Sequence, residues 1–324
     1  MSALSEIQRE SYNNALSAVE GTNRRLVKAY IEARKRVLLR IMQYETLWKP
    51  GAEQAAGVAN AVDLYRILGE EVERITGVRQ QAIALDFAAT LNSTYTLNAY
   101  GMEQHINITT SFINAGTGER WGLGYTVLPT DSVEAALSER VGGMTFHERG
   151  VTERLAFQER LRDRVAASIA SGDSIDDAAK FLQDELKKEF DMAIGRATRM
   201  ARTEILRAYS YGNEESTKQA VEAGVSVRYV WDATLDGRTR EDHQVMDQKK
   251  AEIIDGVPQF TLPNGETTSS PRVNLSAAES INCRCRRLDI PAGFEPTTRV
   301  AKVEGEWKKV GQVSYTDFKD RLSP

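Results

Sequence analysis

The sequence predicts a mainly α-helical protein that ends in a small C-terminal α+β module. Three observations carry this. Long stretches before Gly224 repeat apolar residues every three or four positions. Glycine and β-formers gather before that point only around 107–131, and from Val225 the texture changes to alternation punctuated by turn dipeptides. The chain therefore divides by pattern into an N-terminal helical region (1–106), a loop or hairpin linker (107–149), a helical body (150–224) and an α+β module (225–324).

Residues 5–47 read as long helix, with Leu26, Tyr30, Ala33, Val37, Ile41 and Tyr44 on one stripe and Gly21 a place where it can divide in two. The other faces carry Arg24, Arg25, Lys28, Arg34, Lys35, Arg36 and Arg40 against Glu32 and Glu45 alone. Such a basic amphipathic helix either meets DNA or an acidic partner, or simply presents a solvated face. Leu64, Ile67, Leu68, Val72 and Ile75 form the stripe of the next helix, which Gly77 is expected to break before another begins near Val78. "NITTSFINAGTGERWGLGYTVLP" reads as a loop or short hairpin. Its glycines lack the spacing and the lysine of a phosphate-binding loop. Helices resume after Gly150, with Leu155, Leu161, Val165 and Ile169 on one face. Ser174 with Asp177 predicts a capping pair for the helix bearing Leu182 and Leu186, and the following "RATRMARTEILRAYSYGNEESTKQAVEAG" predicts a long helix capped by Gly224.

In the module, "VSVRYVW" alternates as a half-buried strand does. Asp255-Gly256 in "AEIIDGVPQF" signals a hairpin, and "PNGETTSSPR" reads as an exposed loop. "CRCRRLDI" predicts a strand closed by Pro291, "TRVAKVEGEWKKV" a strand or hairpin, and Ser314 with Asp317 the cap of a last helix.

A chain of 324 residues can bury a real core, and 41% hydrophobic with 27% charged residues is ordinary for a globular protein. The net charge of −4 argues against a chain that coats nucleic acid indiscriminately. No apolar run reaches the roughly 18 residues of a membrane span, and "MSALSEIQRESYNN" lacks a secretory layout. Two Cys separated by one Arg are badly placed to bond each other, as expected of a protein made in a reducing cytoplasm.

The chemistry-bearing residues crowd into "ARTE" (201–204), "WDATLDGRTREDHQ" (231–244) and "INCRCRR" (281–287). Arg202 or Glu204 is expected to brace the polar loop of the module, and Glu204 and Arg207 are neighbours on one helix face. Asp236-Gly237 predicts a turn, with Thr239 as N-cap of a short helix on which Arg240 and His243 share a face above Trp231. On a strand, Cys283 and Cys285 point the same way, so two thiolates and His243 make three ligands for a structural zinc, with Asp236 or another carboxylate as the fourth. Free cysteines also pack well as small apolar groups. A third reading makes Cys283 a nucleophile and His243 its base, oriented by Asp236, Asp242 or Glu241, in a hydrolase or toxin-like module.

Taken in order, "RMARTEILRAYSYGNEES", "VWDATLDGRTREDHQVMD" and "INCRCRR" resemble the phage head morphogenesis family, the Mu F-like minor capsid proteins. Arg202, Thr203, Glu204, Trp231, Asp236, Arg238, Thr239, Arg240, His243, Asn282, Cys283, Arg284 and Cys285 carry the match, over about residues 150–290. Two places depart from the family pattern: Asp247-Gln248 stands where many relatives carry a Gly, and "SAAESIN" where they carry Pro-x-His before the Asn-Cys. The resemblance implies a minor head protein of a tailed bacteriophage, bound to the portal protein at the portal vertex inside the head. It implies architecture that supports assembly, DNA packaging or ejection rather than catalysis. The long N-terminal helices are then the element expected to dock on the portal, and the basic face of residues 24–40 the one expected to lie toward packaged DNA.

Overall fold

The apolar stripes become helices that run straight through the glycines. The computed structural model describes residues 3–45, 54–113, 128, 130–170 and 175–322. Its helices are α1 (Ala3–Glu45), α2 (Gln54–Ile113), α3 (Thr130–Ser138), α4 (Phe146–Ala170), α5 (Ile175–Glu222), α6 (Glu241–Val245), α7 (Ala277–Ser280) and α8 (Tyr315–Leu322). The strands are β1 (Val227–Asp232), β2 (Glu252–Ile254), β3 (Val257–Thr261), β4 (Thr267–Thr268), β5 (Arg286–Pro291), β6 (Thr298–Val303) and β7 (Glu306–Gly311). The protein is 65% helical, with small antiparallel sheets near the C-terminus, as the sequence pattern predicts.

Four expectations need correction. Gly21 does not divide α1, and Gly77 does not break α2. A glycine inside a helix costs about 1 kcal/mol relative to alanine. That is less than the burial of one flanking side chain yields, and Ile75 and Ile83 on either side of Gly77 are both 0% exposed. The expected loop at 107–131 is still helix up to Ile113. The glycine cluster at 114–127, the capping residue Ser174 and the side chain of Tyr44 lie outside the described residues. Leu155 is exposed, and Phe157 takes its place in the buried stripe with Leu161 and Val165.

The chain forms two compact units, each built from separated stretches. One contains residues 20–85 and 146–201, thus parts of α1, α2 and α5 with all of α4. Its core is Leu26, Tyr30, Val37, Leu68, Val72, Leu161 and Leu186, with Phe157 edge-on to Phe190 at 5.2 Å between ring centroids. Glu189, buried on α5, is held by Arg160 at 3.1 Å and Arg164 at 3.2 Å from α4. Burying that carboxylate is tolerable because both oxygens have cationic partners.

The other unit contains residues 1–19, 86–145 and 202–324. Its sheets are β1–β5, β2–β3–β4 and β6–β7, all antiparallel. Asp255 (φ 51°) and Gly256 (φ 79°) turn β2 into β3 as the Asp-Gly signal predicts. Gly224, at φ 92°, ends α5, with the Val225 amide bonding back to the Ala220 carbonyl at 3.0 Å. Ser314 and Asp317 cap α8 reciprocally, the Ser314 hydroxyl donating at 2.8 Å. One core cluster gathers Trp231, Leu235, Met246, Phe260, Leu275, Ala301, Tyr315 and both cysteines.

Glycines at two helix positions should respond in opposite senses to alanine. A Cβ on Gly212 would sit 2.6 Å from the Leu91 carbonyl oxygen and 2.9 Å from the Thr94 Cβ, whereas one on Gly77 meets nothing within 4 Å. Gly77→Ala is expected to stabilise by about 0.5–1 kcal/mol, and Gly212→Ala to destabilise by about 1–3 kcal/mol. Thermal or denaturant unfolding of the two variants checks the pair of signs.

Candidate functional site

The three polar segments converge inside one unit. β1 and β5 pair so that Trp231 lies opposite Arg287 and Asp232 opposite Arg286. Trp231 is 0% exposed and stands edge-on between His243 and Phe260, each ring 5.4 Å away. Its backbone amide donates to the Lys249 carbonyl at 2.9 Å, and its carbonyl accepts from Gln248 at 2.8 Å. Gln248 has φ 64°, the left-handed region that a glycine occupies without strain.

After β1 the chain turns through Asp236. That carboxylate receives the Arg238 amide at 3.0 Å and the Arg284 guanidinium at 2.8 Å, while the Tyr315 hydroxyl donates to its carbonyl. Burial opposes its ionisation, but Arg284 and the Arg238 amide hold its carboxyl below the ordinary aspartate value. Arg238 itself points out, 71% exposed. Thr239 does not cap α6, contrary to expectation. Its hydroxyl donates to the Thr234 carbonyl at 2.6 Å and closes the Asp236 turn, leaving Arg240 at the N-cap position without a side-chain cap. Arg240 reaches instead to the carbonyls of Glu279, at 3.3 Å, and Ile281.

Cys283 and Cys285 are not on a strand, since β5 begins at Arg286. They lie on the segment leading into it, after Asn282 at φ 59°. The Asn282 amide donates to the Thr203 hydroxyl at 3.3 Å, and its side-chain oxygen accepts from Arg202 at 3.4 Å. Arg202 thus reaches the polar loop, and Glu204 pairs with Arg207 of the same helix at 2.6 Å. The sulfurs converge on one imidazole nitrogen. His243 Nδ1 is 3.6 Å from Cys283 Sγ and 3.4 Å from Cys285 Sγ, and all three residues are 1–2% exposed. Asp236 does not complete this set, because Arg284 engages its carboxylate.

The carboxylate that does reach the histidine is Glu279, in the "SAAESIN" segment. Its Oε2 is 2.8 Å from His243 Nε2, and Asn264 Nδ2 donates to its Oε1 at 3.2 Å. Burial favours the neutral imidazole, but Cys283 and Glu279 raise the His243 pKa above the ordinary value. Burial likewise opposes a thiolate at Cys283. Hydrogen bonds from Cys285 and His243, with the Arg272 charge, nevertheless hold it well below the ordinary thiol value. The Cys285 thiol, donating to Cys283, is pushed well above its own.

Sequence reasoning misses Arg272, because "PNGETTSSPR" reads as an exposed loop, yet Thr268, Ser270 and Arg272 are all buried. Arg272, 0% exposed at φ 75°, donates to the Leu206 carbonyl at 3.0 Å, the Ser210 hydroxyl at 2.9 Å and the carbonyls of Cys283, at 3.2 Å, and Cys285. It misses Arg299 and Asp247 too. Their fork closes at 2.8 and 2.9 Å, and Arg299 also lies 2.8 Å from Asp232. No local spacing announces either pair; only the high arginine content of the region hints at them.

In the other unit, the basic residues of α1 are partly engaged. Arg34 pairs with Asp191 at 3.1 Å and Arg36 with Glu71 at 2.6 Å. Arg24, Arg25, Lys28, Lys35 and Arg40 are exposed.

A helix bearing Ala-Arg-Thr-Glu, an arginine-rich turn and a Cys-x-Cys segment thus pack together, and these are the segments that resemble the Mu F-like proteins. Residues 159–288 match the family described as Phage Mu protein F like protein. The chain is 27% identical over 197 residues to the minor head protein GP7 of Bacillus phage SPP1, covering 60% of this chain and 61% of that protein. It is also 25% identical over 194 residues to a protein of Enterococcus faecalis named NAD(+)--arginine ADP-ribosyltransferase EFV, covering 59% of this chain and 38% of that one. The chain thus spans less than two thirds of either relative's length. No solved structure matches it significantly.

Two outcomes test the site's electrostatics. Arg272→Met leaves buried carbonyls without donors and is expected to cost about 3–5 kcal/mol in denaturant unfolding, and Arg272→Lys to recover only part of that, since one ammonium cannot reproduce the fork. Asp236 has a folded pKa below its unfolded value, so its contribution is present above the unfolded pKa and lost as pH falls through the folded one. Asp236→Asn should therefore lower the melting temperature at pH 7, with the difference from wild type shrinking as pH drops below about 4.

Proposed function

We propose that this chain is a minor head protein of a tailed bacteriophage that binds the portal vertex from inside the head and supports assembly, DNA packaging or ejection. The observation that carries the reading is how the Mu F motif residues are spent. Arg202, Thr203 and Asn282 join α5 to the Cys-x-Cys segment, Asp236 with Thr239 and Arg284 closes the turn, and Arg240 holds the Glu279 and Ile281 carbonyls. These are the contacts of architecture. The match to phage Mu F-like proteins and to a phage minor head protein supports the same class.

The enzyme alternative centres on His243 and Cys283, which are in mutual reach at 3.6 Å. A substrate atom would have to reach a sulfur that is 2% exposed. The transferase name belongs to a protein of which the match spans 38%, and the architectural reading accounts for the motif without it.

Co-expression with the portal protein encoded in the same phage genome should give a complex that co-purifies through size exclusion, and the chain should be present in purified heads. Absence from both overturns the reading, as does any turnover that vanishes in a folded His243→Ala protein. For DNA, the exposed Arg24, Lys28, Lys35 and Arg40 predict weak, sequence-independent binding. Reversing these four charges should flatten the salt dependence of binding in a fluorescence titration at low ionic strength, the slope falling by about one for each phosphate no longer neutralised.

A further inference from the structure

We propose that His243, Cys283 and Cys285 bind a single thiophilic divalent ion of the zinc class, which locks α6 to the segment entering β5. The geometry is already that of a ligand set. Zinc bonds of about 2.3 Å to sulfur and about 2.05 Å to nitrogen at the tetrahedral angle put S and N about 3.6 Å apart. The two observed separations are 3.6 and 3.4 Å, and all three donor atoms lie within 4.8 Å of one another.

The surroundings carry a second, independent argument. A ligating imidazole normally gives its other N–H to a carboxylate, which fixes the tautomer and the ring. With Nδ1 facing the sulfurs, His243 Nε2 faces Glu279 Oε2 at 2.8 Å, and Asn264 steadies Glu279 in turn. Arg240 grips the Glu279 carbonyl, and Arg272 grips the carbonyls of both cysteines. The donors are therefore held from behind by a shell of hydrogen bonds. Two thiolates and a neutral imidazole around a dication make a site of zero net charge, which suits a buried position better than a lone thiolate. The ligands also span 40 and 42 residues of chain, so the ion would close a long loop in a module whose interior is unusually rich in charge. Three protein donors fill three tetrahedral corners. The fourth falls to a solvent-derived or other exogenous ligand, since among the described residues the group contains no further His, Cys, Asp or Glu.

The full-length untagged protein, expressed with zinc supplied, should carry about one zinc per chain by elemental analysis and lose thermal stability when a strong chelator removes it. Cobalt substitution should give a thiolate-to-cobalt charge-transfer band and the intense visible bands of tetrahedral cobalt. Glu279→Gln should weaken zinc by about 10–100-fold in a chelator competition while keeping the cobalt spectrum. Cys283→Ser and Cys285→Ser should each abolish the stoichiometric zinc. Should those two variants not fold, the cobalt band of the wild-type protein and the Glu279→Gln competition decide. A folded wild-type protein that stays metal-free in added zinc, cobalt bound without a thiolate band, or zinc retained by folded cysteine variants overturns the proposal. None of these results bears on the portal reading, whose test involves no metal.

Discussion

Arg272 is the residue on which the arrangement of the cysteine segment against α5 depends. One guanidinium, wholly buried, satisfies the Leu206 carbonyl and the Ser210 hydroxyl on α5 together with the carbonyls of Cys283 and Cys285. Unsatisfied, each of the two cysteine carbonyls would cost about 1–3 kcal/mol to bury. The irregular segment between α7 and β5 can lie inside the protein because this side chain supplies the donors that a sheet ladder would otherwise provide. The same logic recurs at Arg299, which bridges Asp247, Asp232 and the Ala233 carbonyl, and at Arg287, which forks onto Asp289 while reaching Glu214 at 3.1 Å. Cationic forks here add to the cohesion of the hydrophobic cluster around Trp231.

Legibility in the sequence differs between these two kinds of contact. Where helices bury a stripe, periodicity is the cause of packing and can be read directly: Leu26, Tyr30, Ala33, Val37 and Ile41 are all buried as their spacing predicts. Local turn chemistry is equally readable at Gly224, Asp255-Gly256 and Ser314, because a positive φ or a cap is a property of one or two residues. Glycine in a helix misleads, since its cost is local while the burial that overrides it is tertiary. In the site, the motif residues are visible, but their partners are not. Glu279 on α7 and Arg272 on a loop act from 36 and 11 residues away from His243 and Cys283, and nothing in their local pattern separates them from ordinary surface charges.

Similarity and structure support each other at the coarse level and part company below it. The match covers residues 159–288, the stretch that carries α5 and the motif segments. The first part of the chain, including basic α1, lies outside that match. The DNA contact proposed above involves α1 rather than the cysteines.

The unit that holds the motif is assembled from stretches at opposite ends of the chain, and Gln8 on α1 donates to the Asp289 carbonyl at 2.8 Å across 281 residues. The first stretch draws its cover from two places, since Ala15 and Val19 cluster with Ile205, Leu206 and Tyr209 of α5, and Leu4 with Leu288, Ile290 and Phe294 further on. The other unit draws only on residues 20–85 and 146–201, so it has all its material much earlier. The order in which each unit has its residues available is thus set by topology, with the helical unit first and the unit that holds the motif last. A product truncated before Arg286 would lack β5 and the strands beyond it, and the cluster around Leu4 would lose Leu288, Ile290 and Phe294, while Ala15 would keep Ile205, Leu206 and Tyr209.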